Sequence, residues 1–514
     1  MAIASPAPCA LMSRPSVRGR MLGREGVSHM YLGIDVGTSG VKVVVMDAGH
    51  SVLASSTAPL EVSRPQPGWS EQAPGDWWRA TDAAVKELRA SHPKEIAAVE
   101  GIGLSGQQHG ATLLDKAGSV LRPAILWNDA RSFVECADIE SAVPAARKIS
   151  GNICMAGFTA PKIAWVKKHE RKVYDQIAKV LLPKDFVRLQ MTGDYASDMS
   201  DSAGTYWMDV AKRDWSEPLL KATGLDVSHM PKLFEGSAPT GRLTQAVAAS
   251  WGMPKRPVVA GGGGDNAASA CGIGAVKDEA AFLSVGTSGV FFVSNARFSP
   301  NADRALHAFC HAVPNTWHQM GVHLSAAGSL EWLAHNLRRP VPELLAGFGE
   351  KVLGPASTLF LPYLSGERTP VADATVRGMF AGLGQETDDK MLTQAVLEGV
   401  AYSFRDSLEA LRVAGSAVTE ASVVGGGSRS KMWVQIMANT LGIPLTLHHG
   451  GELGGAFGAA RLGLCAATGA DPMAVCTKPP VAVVVEPDRG LVQAYADGYA
   501  RYARMYRAAK EIMG

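Results

Sequence analysis

The sequence lacks features that would tie the chain to a membrane or to an oxidising compartment. Its 514 residues contain seven cysteines, and no two of them form a C-x-x-C pair. Scattered thiols of this kind are typical of a reducing cytoplasm, which is the expected location. No apolar run reaches the length of about 18 residues that a membrane span needs. We therefore expect no membrane partner.

The chain also lacks an excess of charge of either sign. A formal net charge of +2, with 19% charged and 46% hydrophobic residues, provides no basic field for nucleic acid and no signature of disorder. The length predicts two large domains with a substantial core. No G-x-x-x-x-G-K-[ST] motif is present, which excludes a P-loop nucleotide site.

Residues 1–29 differ in composition from the rest. They contain four arginines among Ser, Pro and Gly, but only one acid, Glu25. This composition resembles a transit peptide, yet the segment has no apolar h-region, so secretion is not expected. We predict a disordered extension, or an artefact of placing the translation start too far upstream.

A repeated hairpin is the main positive signal. Residues 31–47 predict strand, tight turn and strand, and the hexapeptide Val36–Val41 recurs letter for letter as Val285–Val290. Turn glycines let backbone N–H groups approach an anion, and Asp35 beside the turn is placed to hold a cation bound to that anion. One copy alone could be an ordinary hairpin. Two copies favour related halves that grip a polyphosphate across a cleft.

Two further glycine-rich stretches each follow a predicted strand. In Pro257–Gly272, four consecutive glycines precede Asp265 and Asn266, and a helix of small residues is predicted to follow. Asp265 could be a helix N-cap, or a carboxylate beside a substrate that approaches the glycine backbone. The turn Gly425–Gly427 precedes a helix, as nucleotide-contacting loops do. A small-residue helix is predicted at Gly454–Arg461.

The stretch Gly101–Gly106 satisfies G-x-G-x-x-G but is not interpreted as a dinucleotide fingerprint. The motif needs a following helix, whereas the strand-like Ala111–Asp115 comes next. Elsewhere we predict a helix over Gly75–Leu88 and an apolar strand over Pro123–Arg131. From Ser132 to about Trp251 the pattern is mainly helical.

Together these stretches resemble the FGGY family of sugar kinases, within the actin-like ATPase superfamily. Gly33–Lys42 is similar to the first phosphate motif, Leu283–Gly289 to the second, and Val423–Ser430 to the adenosine motif. The resemblance implies an α/β fold of two actin-like (ribonuclease H-like) domains of duplicated ancestry with a cleft between them. The expected domains are 30–273, on the sugar and phosphate side, and 274–514, on the nucleotide side.

Within the family, the chain most resembles members that phosphorylate D-xylulose to D-xylulose 5-phosphate. The matching motifs are Trp69–Gln72, Gly106–Gly110, Leu126–Asp129, Gly157–Lys162, Ser197–Asp201 and Ser365–Pro370. The sequence departs from the usual pattern in two places: Gln108 stands where bacterial members usually have Met, and the glycine run before Asp265 is one residue longer.

The resemblance also implies roles for individual residues, with ATP and Mg²⁺ as cofactors. Asp265 is expected to be the general base, and Asp35 to place Mg²⁺ on the β- and γ-phosphates. The residues expected to bind the sugar are Gln108, His109 and Asn266, although His109 could instead be a buried structural histidine. Those expected to bind ATP are Gly37, Thr38, Ser39, Gly40, Gly286, Thr287, Gly426 and Gly427. Lys42 could reach a phosphate or be a solvated lysine.

Two other functions remain open at this point. One is a kinase of the same family for another ketose or polyol, such as ribulose, gluconate or glycerol. The other is a non-catalytic ATP-binding switch of the actin type, which would not need the hydroxyl-binding residues Gln108 and His109. The expected partners are a small-molecule sugar and ATP, and a homodimer is among the assemblies left open.

Overall fold

A computed structural model describes residues 29–348, 352, 354–449 and 454–513. Apart from His29, the extension predicted over residues 1–29 lies outside this range. The strands of the first half are β1 Met30–Val36, β2 Gly40–Asp47, β3 Val52–Pro59, β4 Glu71–Gln72, β5 Val99–Gly106, β6 Thr112–Leu114, β7 Ala124–Ile125, β8 Lys179–Leu181, β9 Ala196–Asp198, β10 Met208–Asp209, β11 Asp214–Trp215, β12 Lys232–Phe234, β13 Pro239–Arg242, β14 Val258–Ala260 and β15 Gly263–Gly264.

The strands of the second half are β16 Ala281–Val285, β17 Gly289–Asn295, β18 His307–Cys310, β19 Trp317–His323, β20 Leu359–Leu361, β21 Met379–Ala381, β22 Ala421–Val424, β23 Leu445–His448 and β24 Val481–Val485. Short 3₁₀ turns occupy Val227–His229, Ala302–Arg304 and Gly426–Arg429.

The helices alternate with these strands in both halves. Their bounds are α1 Pro74–Ser91, α2 Pro93–Ala97, α3 Phe133–Ala142, α4 Ala146–Ser150, α5 Thr159–His169, α6 Arg171–Tyr174, α7 Pro183–Thr192, α8 Met199–Ala203, α9 Glu217–Ala222, α10 Gln245–Trp251, α11 Asp265–Ile273, α12 Ala327–Leu337, α13 Val341–Ala346, α14 Asp389–Val413, α15 Lys431–Leu441, α16 Gly454–Thr468, α17 Pro472–Val475, α18 Val492–Tyr502 and α19 Met505–Met513. None of the described helices is long and apolar enough to cross a membrane.

The two main sheets repeat one topology. In the first, β1, β2 and β3 form an antiparallel meander, and β5 and β14 continue the sheet parallel to β1. In the second, β16, β17 and β19 form the meander, and β22 and β23 continue parallel to β16. The repeated hexapeptide forms the tip of the first hairpin in each meander. The two-domain α/β architecture with mixed sheets in each half is thus confirmed, and the repeat marks equivalent positions in it.

Helix α16, late in the chain, packs on the sheet of the first half. It contacts β1, β5 and α11. A Cβ on Gly33 would lie 1.8 Å from the carbonyl oxygen of Ala456, and one on Gly103 would lie 1.8 Å from that of Ala459. Such distances are far inside van der Waals contact, so only glycine allows the helix backbone this close to the strands. Small residues along α16 complete the contact. The small-residue helix predicted over 454–461 is confirmed, whereas its place on the sheet of the first half was not predicted.

The glycines of the G-x-G-x-x-G stretch therefore serve packing. Gly101 to Gly106 lie within β5, and a Cβ on Gly101 would approach the carbonyl oxygen of Gly463 to 2.1 Å. The strand continues through the motif and no helix follows it, which agrees with the rejection of a dinucleotide site.

Two secondary-structure predictions need correction. The apolar segment Pro123–Arg131 forms only the two-residue strand β7, because the chain then turns through Asp129, whose carboxylate accepts the N–H groups of Ser70 (2.6 Å) and Arg131 (2.9 Å). The region from Ser132 to Trp251 contains the predicted helices but also the strands β8 to β13. These strands have two to four residues, too few for a period-2 pattern to be recognised.

Candidate active site

Asp35 lies near the end of β1, beside the first hairpin turn. Its Oδ1 accepts a hydrogen bond of 2.8 Å from the Ser105 hydroxyl on the neighbouring strand β5, and Lys42 is its partner across the hairpin. Burial raises the pKa of Asp35, while Ser105 and the charge of Lys42 oppose the rise. Lys42, on the strand β2 that follows the turn, is thus close enough to Asp35 to stabilise its ionised form.

Asp265 is the first residue of α11, and its half-buried side chain faces the cleft. Gly264 occupies the N-cap position, so Asp265 is not the capping residue. Its Oδ1 accepts hydrogen bonds from the backbone N–H of Asn266 at 2.7 Å and from the Asn266 amide at 2.9 Å. Burial, followed by the negative charge of Asp35, raises the pKa of Asp265 to about 7. A carboxylate with this pKa can accept a proton efficiently near neutral pH.

His109 follows β5 and is held in the left-handed region, with φ of 69°. Its Nδ1 donates to the Gly204 carbonyl at 2.6 Å, and burial, then the charge of Lys162, keeps the pKa of the imidazole well below its usual value. The neutral ring with Nδ1 protonated leaves Nε2 as an acceptor. His109 is therefore both structurally tied and able to accept a hydrogen bond from a ligand hydroxyl.

The cavity in front of these residues has a volume of about 130 Å³. From the first half it is lined by Gln108, His109, Trp127, Asp265 and Asn266, and from the second half by Ser288, Val290, His307, Phe309, Met320, Val322 and Arg368. The structure thus brings the three predicted sugar-binding residues together with the predicted base in one cavity. Polar groups on apolar walls suit a small polyhydroxylated ligand.

The two hairpin turns keep their backbone tightly closed. Gly37 donates its N–H to the carbonyl of Gly40 at 3.0 Å, and Gly286 donates to that of Ser288 at 3.1 Å. Ser39 and Thr287 are exposed at the two tips. Both turns are thus closed hairpins with a solvent-exposed tip residue, and the Thr38 hydroxyl is already engaged by protein groups.

Gln72, Gln107 and Trp127 were missed as site residues by sequence reasoning. The Thr38 hydroxyl donates to Gln107 Oε1 at 2.9 Å and accepts from Trp127 Nε1 at 3.0 Å. Gln72 Nε2 donates to the Thr38 carbonyl at 2.7 Å. The motifs Trp69–Gln72 and Leu126–Asp129 were visible in the sequence, but only the fold shows that they converge on the first turn.

A larger cavity, of about 360 Å³, lies between α11 and α16 on one side and β16 and β22 on the other. Its lining includes Gly425, Gly426 and Gly454 from the second half and Asn266 from the first. A Cβ on Gly426 would meet nothing within 4 Å, so this glycine leaves open space at the cavity wall. Gly427 instead packs on Val285, whose Cγ1 would lie 2.4 Å from an added Cβ.

The residues near the turn suit a divalent cation held together with phosphates. Asp35 and Asp265 both have pKa values raised by burial, and the charge of Asp35 raises the pKa of Asp265 further. A hard cation between these carboxylates would relieve that repulsion, and carboxylate oxygen is a ligand type that Mg²⁺ accepts. Among the described residues, no cluster of three or more His, Cys, Asp or Glu side chains could hold a metal alone. Phosphates and water would supply the other ligands.

The fold and these two cavities define a carbohydrate kinase. The chain matches the N-terminal domain model of the FGGY family of carbohydrate kinases over residues 30–272 and the C-terminal domain model over residues 281–467. The protein therefore belongs to the FGGY family and is an ATP-dependent sugar kinase, which confirms the resemblance seen in the sequence.

Relatives with more specific names cover most of the chain. It is 50% identical to the xylulose kinase of Escherichia coli K12, over 85% of this chain and 90% of the relative, and 47% identical to that of Klebsiella pneumoniae, over 94% and 100%. Among solved structures, a xyloylose kinase from Brucella ovis shares 53% identity at a TM-score of 0.92, over 94% of this chain and 100% of that one.

Proposed function

We propose that the protein transfers the γ-phosphoryl group of Mg·ATP to the O5 hydroxyl of D-xylulose, giving D-xylulose 5-phosphate. The observation that carries the proposal is a carboxylate of pKa about 7, Asp265, in the cavity that Gln108 and His109 also line. The extensive identity to xylulose kinases supports the choice of sugar.

In this mechanism Asp265 takes the proton from O5 as that oxygen attacks the γ-phosphorus. The O5–P bond forms while the bond from the γ-phosphorus to the bridging oxygen breaks, and ADP leaves with the electron pair. Gln108, Asn266 and the acceptor Nε2 of His109 orient the sugar hydroxyls, because buried polar groups that lose their partner impose a strong penalty on the wrong ligand.

The two turns and the larger cavity would hold ATP. Gly37, Thr38, Ser39 and Gly40 would contact phosphates from the first half, and Gly286 and Thr287 from the second. Gly426 would lie against adenosine, with Gly427 supporting the loop. The bound metal would neutralise charge on the β- and γ-phosphates, with Asp35 among the groups that hold it, through water because Mg²⁺ dehydrates reluctantly.

The cellular setting is part of the same proposal. We infer a cytoplasmic enzyme with a sugar and ATP as its small-molecule partners. The six cysteines among the described residues are buried and free, as suits a reducing compartment. The domain boundary near residue 274 and a homodimeric assembly remain predictions, and sedimentation in solution would test the latter.

An ADP-release assay on a panel of ketoses and polyols tests the function. We expect D-xylulose to give a higher kcat/KM than ribulose, gluconate or glycerol, and Asp265→Ala to abolish turnover while the thermal unfolding midpoint stays close to that of the wild type. Asp138→Asn is the matched control, since Asp138 is exposed on α3. Turnover near wild type in Asp265→Ala, or preference for another sugar, would contradict the proposal.

A further inference from the structure

Arg368 reaches the small cavity from the second half of the molecule. Its half-buried side chain lines the space that Gln108, His109 and Asp265 line from the first half. The residue belongs to the motif Ser365–Pro370, for which the mechanism above has no use.

The guanidinium of Arg368 makes no hydrogen bond or ion pair with any residue that the structure describes. The neighbouring carboxylate of Glu367 accepts the backbone N–H groups of Leu324 at 3.0 Å and of Arg368 at 2.7 Å through Oε1, and its charge opposes the lowering of the Arg368 pKa. Burial lowers the pKa of Arg368. Its five N–H donors reach a half-buried cavity wall without a protein acceptor among the described residues, so they are available to acceptor oxygens of a bound ligand.

The backbone on either side of this side chain is fixed. The hydroxyl of Thr369 donates to the Ala305 carbonyl at 3.0 Å and accepts the N–H of Val322 at 3.0 Å. The guanidinium lies near Gly157, since a Cβ added there would be 3.5 Å from Arg368 Nη2, an ordinary van der Waals distance. The side chain thus reaches the cavity from a backbone that hydrogen bonds hold in place.

Arg368 lines the cavity from the second half, together with His307 and Phe309, whereas Asp265 lines it from the first half. The charge of Arg368 contributes to lowering the pKa values of His109 and His307, whereas the pKa of Asp265 responds to burial, Asp35 and Asn266. With O5 of the sugar at Asp265, the other end of D-xylulose carries the O1 hydroxyl and the O2 carbonyl. Both oxygens can accept hydrogen bonds from a guanidinium.

We propose that Arg368 is a substrate-specificity residue that donates hydrogen bonds to O1 or O2 of the ketose, so that the second half of the molecule recognises the end of the sugar remote from the phosphorylated hydroxyl. The inference rests on the proposed function, because it assumes a ketose oriented with its terminal hydroxyl at Asp265. It adds a contact from the second domain to a sugar site otherwise assigned to residues of the first.

A substrate–variant cycle tests this contact. We would measure kcat/KM of the wild type and of Arg368→Met with D-xylulose, with 1-deoxy-D-xylulose, which lacks O1, and with xylitol, which has a hydroxyl in place of the carbonyl. Arg368→Met should lower kcat/KM for D-xylulose about 10- to 100-fold, the range expected for loss of a charge-assisted hydrogen bond. Most of this loss should appear as a higher KM. The loss should be much smaller with at least one of the two analogues, while the KM for ATP stays unchanged.

Controls separate this outcome from damage to the fold. Arg377→Met removes an exposed arginine whose guanidinium donates to carbonyls of residues 374–376. It should leave unchanged the two ratios of kcat/KM that compare D-xylulose with 1-deoxy-D-xylulose and with xylitol. Arg368→Lys should recover part of the loss, and it decides the test by the same ratios if Arg368→Met does not fold. Equal losses with all three substrates, or a loss confined to ATP, would overturn the inference. Absence of D-xylulose turnover in the wild type would instead contradict the proposed function.

Discussion

At the scale of single residues, the two carboxylates Asp35 and Asp265 are distinguished by their surroundings. Asp35 receives a hydrogen bond from Ser105 and faces the charge of Lys42, whereas Asp265 is paired only with the neutral Asn266. The first is thereby better stabilised as an anion beside a cation, and the second is better suited to accept a proton. This division supports the separate roles of metal holder and base.

The pH profile should report the raised pKa of Asp265. The base acts only when ionised, so kcat/KM should be half of its plateau value at pH about 7, approach the plateau at higher pH and fall as pH decreases. Asp35→Asn removes the like charge, so the acid limb of its residual activity should move to lower pH. The control Asp138→Asn should leave the limb unchanged. A limb near pH 4 in the wild type would show that burial does not raise this pKa.

Gly204 should determine whether His109 can occupy its position. Its φ of −75° would accept alanine, but an added Cβ would lie 2.6 Å from His109 Cε1 and 2.7 Å from Nδ1. We expect Gly204→Ala to raise the KM for the sugar about tenfold or more by displacing the ring, with the KM for ATP unchanged. Gly347→Ala, at an exposed glycine whose added Cβ would have its nearest neighbour at 3.9 Å, is the control. An unaltered KM for the sugar would show that the position of His109 does not matter.

At the scale of elements, the contact of α16 with β1 and β5 depends on glycine. Gly103→Ala should place its Cβ 1.8 Å from the Ala459 carbonyl oxygen, so strand or helix must shift. We expect a loss of about 1–3 kcal/mol or more in the free energy of unfolding, the range for overpacking a core. Urea denaturation measures it, and Gly347→Ala should change the free energy by less than about 1 kcal/mol. Equal stability of the two variants would contradict this account of the glycines.

The regular elements could be predicted to different degrees. Helix α1 could be predicted because Trp77, Ala80, Ala84 and Leu88 repeat at helical spacing. The structure shows that all four are buried. Hairpin β1–β2 was evident from its β-branched run and glycine turn. The strands β8 to β13 could not be predicted, because they have only two to four residues, and some of them pair with segments far away in sequence, as β8 does with β6.

At the scale of the whole molecule, both cavities are lined by residues from both halves. The small cavity joins Asp265 to Arg368, and the larger one joins Asn266 to Gly426. A ligand in either one touches both halves, and occupation of both would favour a closed arrangement that excludes water from the phosphoryl group.

Scattering should detect that closure. We expect D-xylulose with a non-hydrolysable ATP analogue to lower the radius of gyration measured by small-angle X-ray scattering, because residues of both halves line the cavity proposed for each ligand. Asp265→Ala should still close, since it removes the base and leaves most of both cavity walls intact, whereas gluconate should produce less closure. An identical radius of gyration with and without ligands would contradict this expectation.

The sequence alone determined that the chain has two related halves. The hexapeptides that begin at Val36 and Val285 are identical, and their glycine and hydroxyl residues form a local motif that can be recognised without knowing the tertiary structure. It also singled out Asp35, Gln108, His109 and Asp265, because their motifs are local. Only the tertiary structure decided that Arg368 and Trp127 belong to the sugar cavity and that Gly33 and Gly103 admit α16. It also decided that Asp265 has a pKa near 7. These properties depend on burial and on charges from segments distant in sequence, and no local pattern records either.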